Sequence, residues 1–476
     1  MRVIKLRNTL GRRIEVFEPV KPPFVNMYVC GPTPYDYTHI GHARTFVAFD
    51  GIKRYLSLRG YSVFHVQNIT DIDDKIINRS RERGIDWRNL VQEYINDYMY
   101  MLSTLNIQID VHPRVTEHIN DIIEFIQRLI EKGYAYVAES GSVYFEVDKY
   151  PDYGRLSGRT SKKLWGQEEE HASEKKKPYD FALWKAAKPG EPSWQSPWGP
   201  GRPGWHIECS VMSTKYTGPS LDIHGGAADL IFPHHENERA QSESLLGRKP
   251  WVKYWLHTGY LTIEGEKMSK SLGNIISVKD AVKEWGPGPL RLWLLSGHYR
   301  TQLEYSDQSL QQSKRLYNRF REVVQELHKR LEKQEPTYVL KPSELDVLDS
   351  LRKIHRRWHT EMSSDFNFAG AIREVWEFTN LYYKKLSSTE SNTIILYAYK
   401  IGQEMNKVYG IADDVYQATE RAVPEITEQL VDLIVSVRTE LRKNKMYDLA
   451  DTIRAKLLEL GIQLKDYKNR TEWSWK

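Results

Sequence analysis

Residues 25–66 constrain this chain more than any other stretch. Val25-Asn26-Met27-Tyr28-Val29-Cys30 alternates and is rich in β-formers, which suits a strand ending at Cys30. A turn through Gly31-Pro32-Thr33-Pro34 follows. Phe46, Val47, Phe49, Ile52, Tyr55 and Leu56 then recur at helical spacing until Gly60 stops the helix. Residues 61–66 predict a second strand. Strand, crossover helix and strand within about 45 residues build a parallel sheet, with chemistry at the carboxyl ends of its strands. The expected fold class is α/β, a Rossmann-type parallel-sheet catalytic domain.

The remaining segments arrange themselves around that unit. Residues 115–132 predict a helix, 160–178 are charge-dense, and 189–203 are rich in Pro, Gly and Trp, so about 115–203 is expected to be an inserted connective region. Residues 221–224 and 255–263 predict strands of the second half of the sheet. Beyond Arg300, Leu316, Phe320, Val323, Val324, Leu327 and Leu331 form one helical stripe, and Leu348, Leu351, His355 and Trp358 another. The expected division of the 476 residues is a catalytic domain over 1–300, a helical bundle over 301–423 and a small C-terminal unit over 424–476.

The net charge of +5 permits a polyanionic partner without demanding one. Residues 301–476 carry 28 basic and 27 acidic groups, so a nucleic acid would have to be held by shape and base contacts instead of a basic tail. There is no run of 18 apolar residues, and the charged N-terminus lacks a secretory pattern; no membrane partner and a cytoplasmic location are expected. Only two cysteines occur, which excludes a disulfide framework.

Three places carry chemistry. His39-Ile40-Gly41-His42 lies between a strand end and a helix N-terminus, where imidazoles and free N–H groups can face a polyphosphate. Lys267-Met268-Ser269-Lys270-Ser271 is a loop whose ammonium groups suit the charge that develops on a pyrophosphate leaving group. The third place is metal-like. His234 and Glu238, four residues apart, share a helix face, and Cys209 lies upstream. If the sheet also brings Cys30 to Cys209, the four supply ligands that zinc accepts; without that closure the cysteines are small core hydrophobes and the histidine a cap.

These residues resemble the cysteinyl-tRNA synthetases, a family of class I aminoacyl-tRNA synthetases. The likeness runs through residues 28–33 and 39–42, Asn68-Ile69-Thr70-Asp71-Ile72-Asp73-Asp74-Lys75, and Gly204-Trp205-His206-Ile207-Glu208-Cys209-Ser210. It continues through Asp222-Ile223-His224-Gly225-Gly226, residues 232–238 and residues 267–274. Downstream, residues 298–300 and 365–367 look like the family's entry into its helical domain. Ala227 stands where many members have glycine, and Arg470 replaces a common glycine in the tail that keeps Thr471 and Trp473.

The resemblance implies that Cys30, Cys209, His234 and Glu238 ligate one zinc ion per chain. It implies that His39, Gly41, His42 and Lys270 handle ATP, with Lys267 and Lys270 closing over pyrophosphate, and that Thr70, Trp205 and His224, and less directly Asp229, surround the amino acid. The expected activity is activation of L-cysteine with ATP and Mg2+, then transfer to the 3'-terminal adenosine of tRNA(Cys), by a monomer whose C-terminal unit binds the anticodon. A zinc pocket suits that task, because serine has nearly the shape of cysteine but offers a soft metal only a hydroxyl. Two rivals remain, each disfavoured by a feature of the chain. A ligase joining cysteine to an amino sugar would not need residues 301–476, and a non-catalytic paralogue should have lost His39, His42, Lys267 or Lys270.

Overall fold

The computed structural model describes residues 3–166, 172–268, 273–331, 339–420, 425–466 and 471–475. Its centre is a four-stranded sheet, parallel throughout, in the order Val252–Thr258, Leu221–Ala227, Phe24–Val29, Ser62–Gln67. The expected first unit is present: Phe24–Val29, the helix Ile40–Leu58 and Ser62–Gln67. Its helix buries Phe46, Val47, Phe49, Ile52, Tyr55 and Leu56, the residues whose spacing signalled it.

Residues 255–263 are not one strand. Val252–Thr258 closes the parallel sheet, whereas Leu261–Ile263 pairs with Glu266–Lys267 and with Leu303–Tyr305 in a separate three-stranded sheet. Hydropathy continues across Gly259-Tyr260, so the sequence pattern carries no mark of the break. Within 115–203 the chain forms an antiparallel meander of Ala135–Val137, Val143–Phe145, Phe181–Ala186 and Gly201–Pro203. Part of the charge-dense stretch, 167–171, lies outside the described residues. The meander's Phe145, Phe181 and Trp184 share a core with Ile207 and Met212 of the helix Trp205–Thr217, which leads into the central strand Leu221–Ala227.

After Arg300 come the helices Asp307–Leu331, Pro342–Ser363, Phe368–Lys384 and Asn392–Tyr409. The first buries Leu316, Phe320, Val323, Val324 and Leu327, as its stripe predicts. The second buries Val347, Leu351, Ile354, Trp358 and Met362, leaving Leu348 and His355 at the rim of that face. These helices are tied to the preceding part of the chain by charged groups. Arg291, on the helix Pro287–Leu294, reaches Asp50 of Ile40–Leu58 and donates to the carbonyls of Leu105 at 2.6 Å and Tyr409 at 2.5 Å. Asp365 accepts from Tyr299 Oη at 2.9 Å and Arg300 Nε at 2.6 Å.

Residues 1–413 form one unit and 414–476 a second. The second begins in the helix Asp413–Glu420 and includes Glu425–Lys443, Tyr447–Glu459 and the hairpin Ile462–Asp466 with Thr471–Trp475. It packs Val431, Val435, Leu457, Ile462 and Leu464 together. Buried Arg438 forks onto Asp466 at 2.8 and 2.9 Å and, with Arg442, holds that carboxyl far below the usual range. Among the described residues no helix is long and apolar enough to cross a membrane.

Replacing Asp50 by Ala strands the Arg291 guanidinium in the core and is expected to cost about 3–5 kcal/mol at neutral pH. Burial raises the Asp50 carboxyl, but Arg291 and Arg54 outweigh it and hold it below its ordinary value. The stabilisation is therefore complete above the unfolded carboxyl range and lost as pH falls through the folded value. Urea unfolding of wild type and Asp50→Ala should show a gap that narrows in acid; a gap independent of pH would contradict the ion-pair account.

Candidate functional site

A cavity of about 380 Å³ opens at the carboxyl ends of the parallel strands, lined among others by Cys30, His39, Gly41, His42, Trp205, Asp229 and Met268. His39 caps the helix Ile40–Leu58. Its ring accepts from the His42 N–H, the His42 ring accepts from the His39 N–H, both at 3.4 Å, and the two rings stack at 3.7 Å. The first turn of a 19-residue helix thus meets the cavity, a place that favours anions. Gly41 keeps the approach close, since a Cβ there would lie 2.9 Å from His39 Nδ1 and from Met268 Cε and would push both side chains aside. Gly31 likewise passes against the Asn68 carbonyl, where any Cβ would collide.

The 267–271 loop springs from this rim. Glu264 and Gly265, at φ of 53° and 79°, make the two-residue turn joining Leu261–Ile263 to Glu266–Lys267. Met268 is buried and its N–H donates to Leu261 at 3.1 Å. Lys270 and the Lys267 side chain lie outside the described residues. Beyond the loop the chain docks onto the histidine segment: Ile40 N–H donates to Ile276 at 3.1 Å and Val278 N–H to Thr38 at 3.0 Å. Asp97 braces both sides, accepting from Thr38 N–H and Oγ1 at 2.8 and 2.7 Å and pairing with Lys279 at 2.7 Å.

The sheet order closes the gap between the two cysteines. Phe24–Val29 and Leu221–Ala227 are neighbours, and the helix before the latter carries Cys209. Cys30 Sγ lies 3.8 Å from Cys209 Sγ and 3.5 Å from Glu238 Oε1, and His234 Nε2 lies 3.0 Å from Glu238 Oε1. All four residues are buried, with their donor atoms within 4.8 Å of one another. Zinc–sulfur bonds of about 2.3 Å and zinc–oxygen bonds near 2.1 Å give tetrahedral edges of about 3.8 Å between sulfurs and about 3.6 Å from sulfur to oxygen. The donor set therefore fits such an ion.

A layer of histidines behind this set was not singled out from the sequence. His235 Nε2 lies 3.2 Å from Cys30 Sγ, its Nδ1 pairs with His257 at 2.8 Å, and His257 reaches Thr9 at 2.7 Å. His206 and His234 meet through their Nδ1 atoms at 2.9 Å. Cys30, His224, His235 and Glu238 make a second, overlapping donor group. The doublet His234-His235 was the available signal; His206, on the helix Trp205–Thr217, and His257, on the strand Val252–Thr258, join it only through long-range packing. Trp205 lines the cavity and stacks on His234 at 4.3 Å. Thr70 and His224 stand behind its wall, Thr70 donating to Glu208 at 3.2 Å and His224 pairing with Glu238 at 2.8 Å. Lys75 also lines the cavity, its ammonium 5.6 and 5.9 Å from the Tyr35 and Trp205 ring centres.

Burial and these contacts set the charge states. Burial raises the Cys209 thiol, but the hydrogen bond from Cys30 and the His234 imidazole more than reverse this and hold it at about 6. Burial and Cys209 push Cys30 well above the usual thiol value. Burial opposes charge on both Glu238 and His234, yet His224 and His234 hold Glu238 at about 2, and Glu238 with Cys209 lifts His234 to about 10. Burial keeps His206, His235 and His257 neutral at neutral pH. The centre thus holds one thiolate and one carboxylate ready for a metal.

Residues 16–315 match the family described as tRNA synthetases class I (C) catalytic domain. The chain is 62% identical over 471 residues to the cysteine-tRNA ligase of Aeropyrum pernix, with 99% of each chain covered. It is 55% identical over 470 residues to that of Staphylothermus marinus, covering 99% of this chain and 98% of the relative. Among solved structures, Mycobacterium tuberculosis methionyl-tRNA synthetase in complex with methionyl-adenylate aligns with a TM-score of 0.60 at 17% identity, over 87% of this chain and 94% of that one. A ternary complex of Agrobacterium radiobacter LeuRS aligns at 0.65 and 12%, over 84% and 86%. The two solved structures share the fold.

Metal-free protein should show one thiolate titrating in the ultraviolet with a midpoint near 6. Cys209→Ser should abolish this titration, and Cys30→Ala, which removes the donor, should move it upward. Titration of both thiols only at the ordinary thiol pH would contradict the assigned contacts.

Proposed function

The chain belongs to the cysteine-tRNA ligases of the class I synthetases, and on that premise we propose which of its own residues carry each part of the activity. The enzyme activates L-cysteine with ATP to cysteinyl-adenylate and transfers the cysteinyl group to the 3'-terminal adenosine of tRNA(Cys). ATP enters as its Mg2+ complex. The observation that carries the residue assignment is that Cys30, the His39–His42 helix start and Met268 line one cavity.

In the first step a cysteine carboxylate oxygen bonds to the α-phosphorus of ATP as the bond to pyrophosphate breaks. His39, His42 and the N–H groups of the first helical turn face the charge that builds on the phosphates, and Lys267 and Lys270 close over the leaving group. In the second step a ribose hydroxyl of the tRNA terminus bonds to the activated carbonyl, and AMP leaves. Asp229, on the cavity wall, offers a carboxylate to the substrate ammonium group. Protein groups supply position and charge.

Cys30, Cys209, His234 and Glu238 would hold one zinc ion, which when bound supplies a soft Lewis acid that prefers the cysteine thiolate to the serine hydroxyl. The two-sulfur set is favoured over the group containing His224 and His235, because two thiolates make a softer donor set for zinc than one. His224 holds the second oxygen of Glu238 from behind, and Trp205 covers His234 from the cavity side. Residues 301–423 form the tRNA-binding bundle in this reading, and 424–476 the anticodon-binding unit. The protein acts as a cytoplasmic monomer.

Lys270→Ala is expected to slow cysteine-dependent pyrophosphate exchange by about 10²-fold while changing the KM for cysteine little. Weakened cysteine binding with an unchanged exchange rate would place the loop at the amino-acid pocket instead. A chain ending at Asp413 should keep exchange activity and lose tRNA charging by orders of magnitude. Full charging by that shortened chain would contradict the role given to the C-terminal unit.

A further inference from the structure

We infer that His355, His359 and Glu404 form a second metal site, outside the catalytic cavity, for a divalent ion of the zinc class. His355 and His359 stand one turn apart on Pro342–Ser363, and Glu404 faces them from Asn392–Tyr409. Glu404 Oε2 lies 2.8 Å from His355 Nε2 and 3.2 Å from His359 Nε2, and the two Nε2 atoms are 3.2 Å apart. Bonds of about 2.0–2.1 Å from nitrogen and oxygen to zinc span tetrahedral edges of about 3.3–3.4 Å. The three donors therefore already occupy three corners, and an ion enters with shifts of a few tenths of an ångström.

The far side of the His359 ring is also braced. Tyr55 Oη lies 3.4 Å from His359 Nδ1, and the same hydroxyl is fixed by Ser363 Oγ at 2.8 Å and Arg59 Nη1 at 2.9 Å. A partner on the far ring nitrogen sets the tautomer and turns Nε2 toward the ion. The side chains of His355, His359 and Glu404 are 25%, 24% and 36% exposed, so an ion has access and the fourth corner faces solvent. Two imidazoles with one carboxylate suit zinc and its transition-metal neighbours, and disfavour Mg2+ and Ca2+, which take oxygen donors. An ion here would clasp two helices of the helical region. Through Tyr55 it would also brace the helix whose first turn carries His39 and His42.

The test is equilibrium dialysis of chelator-stripped, full-length protein against Zn2+, with bound metal measured per chain. Wild type should hold one more ion than His355→Asn/His359→Asn, and Glu404→Gln should bind that ion at least tenfold more weakly. Circular dichroism checks that the variants are folded. The same one-ion difference should persist in a Cys209→Ser background, so failure of the catalytic zinc centre and failure of this site read out separately. Millimolar Mg2+ should not displace the extra ion. Equal zinc content in wild type and the double variant, or displacement by Mg2+, would overturn the proposal.

Discussion

The Glu238 carboxylate is the group on which the architecture of the site turns. It is wholly buried, 2.8 Å from His224 and 3.0 Å from His234. An unpaired charge at that depth would cost several kcal/mol, so the strand Leu221–Ala227 and the helix His234–Leu246 must meet where the pairs form. The same rule governs the rest of this helix, which is almost entirely polar and yet buried from His234 to Leu245. Glu236 accepts from Ser157 N–H and Oγ at 2.8 and 2.9 Å, Asn237 from Tyr153, Gln241 from Ser210 at 2.7 Å, and Glu243 from Tyr150. Tyr150, Tyr153 and Ser157 belong to the inserted region, which is thereby tied to the sheet by polar pairing as well as by its apolar core.

The catalytic geometry follows from this arrangement. Once Leu221–Ala227 lies beside Phe24–Val29, two cysteines 179 positions apart stand within reach of one ion. The same strand ends open the cavity to which the His39–His42 turn and the base of the 267–271 loop contribute. Asp97 then couples the histidine turn to the helix Val278–Trp285, because one carboxylate holds Thr38 on one side and Lys279 on the other. The metal-like centre and the His39–His42 turn are thus set by a common frame.

Much of the frame was legible because it rests on period. The spacing of Phe46, Phe49, Ile52 and Tyr55 marks a buried helix face, and the alternation before Cys30 marks a strand. Less legible were features set by long-range pairing. Composition makes His234–Leu246 look like a surface helix, since nothing local announces that Tyr150, Tyr153 and Ser210 will satisfy it. The link across residue 300 is likewise non-local. Arg291 with Asp50, and Asp365 with Tyr299 and Arg300, hold residues 1–413 in one unit although the hydrophobic pattern changes character there. His355 fits the apolar period of its helix but lies at the edge of the buried face, where it meets Glu404. His206, His235 and His257 sit on two helices and a strand that pack together over long sequence distances, which a single sequence does not display.

The central claim is that Cys30, Cys209, His234 and Glu238 hold an ion that recognises the substrate by its sulfur. X-ray absorption at the zinc edge, on protein carrying His355→Asn/His359→Asn so that only this centre is loaded, tests it most directly. Without substrate the spectrum should show two sulfur and two lighter neighbours at bond lengths of about 2.3 and 2.0–2.2 Å. Added cysteine should raise the sulfur count to three, and added serine should leave the spectrum unchanged. A sulfur count that does not respond to cysteine, or a response shared by serine, would contradict the account.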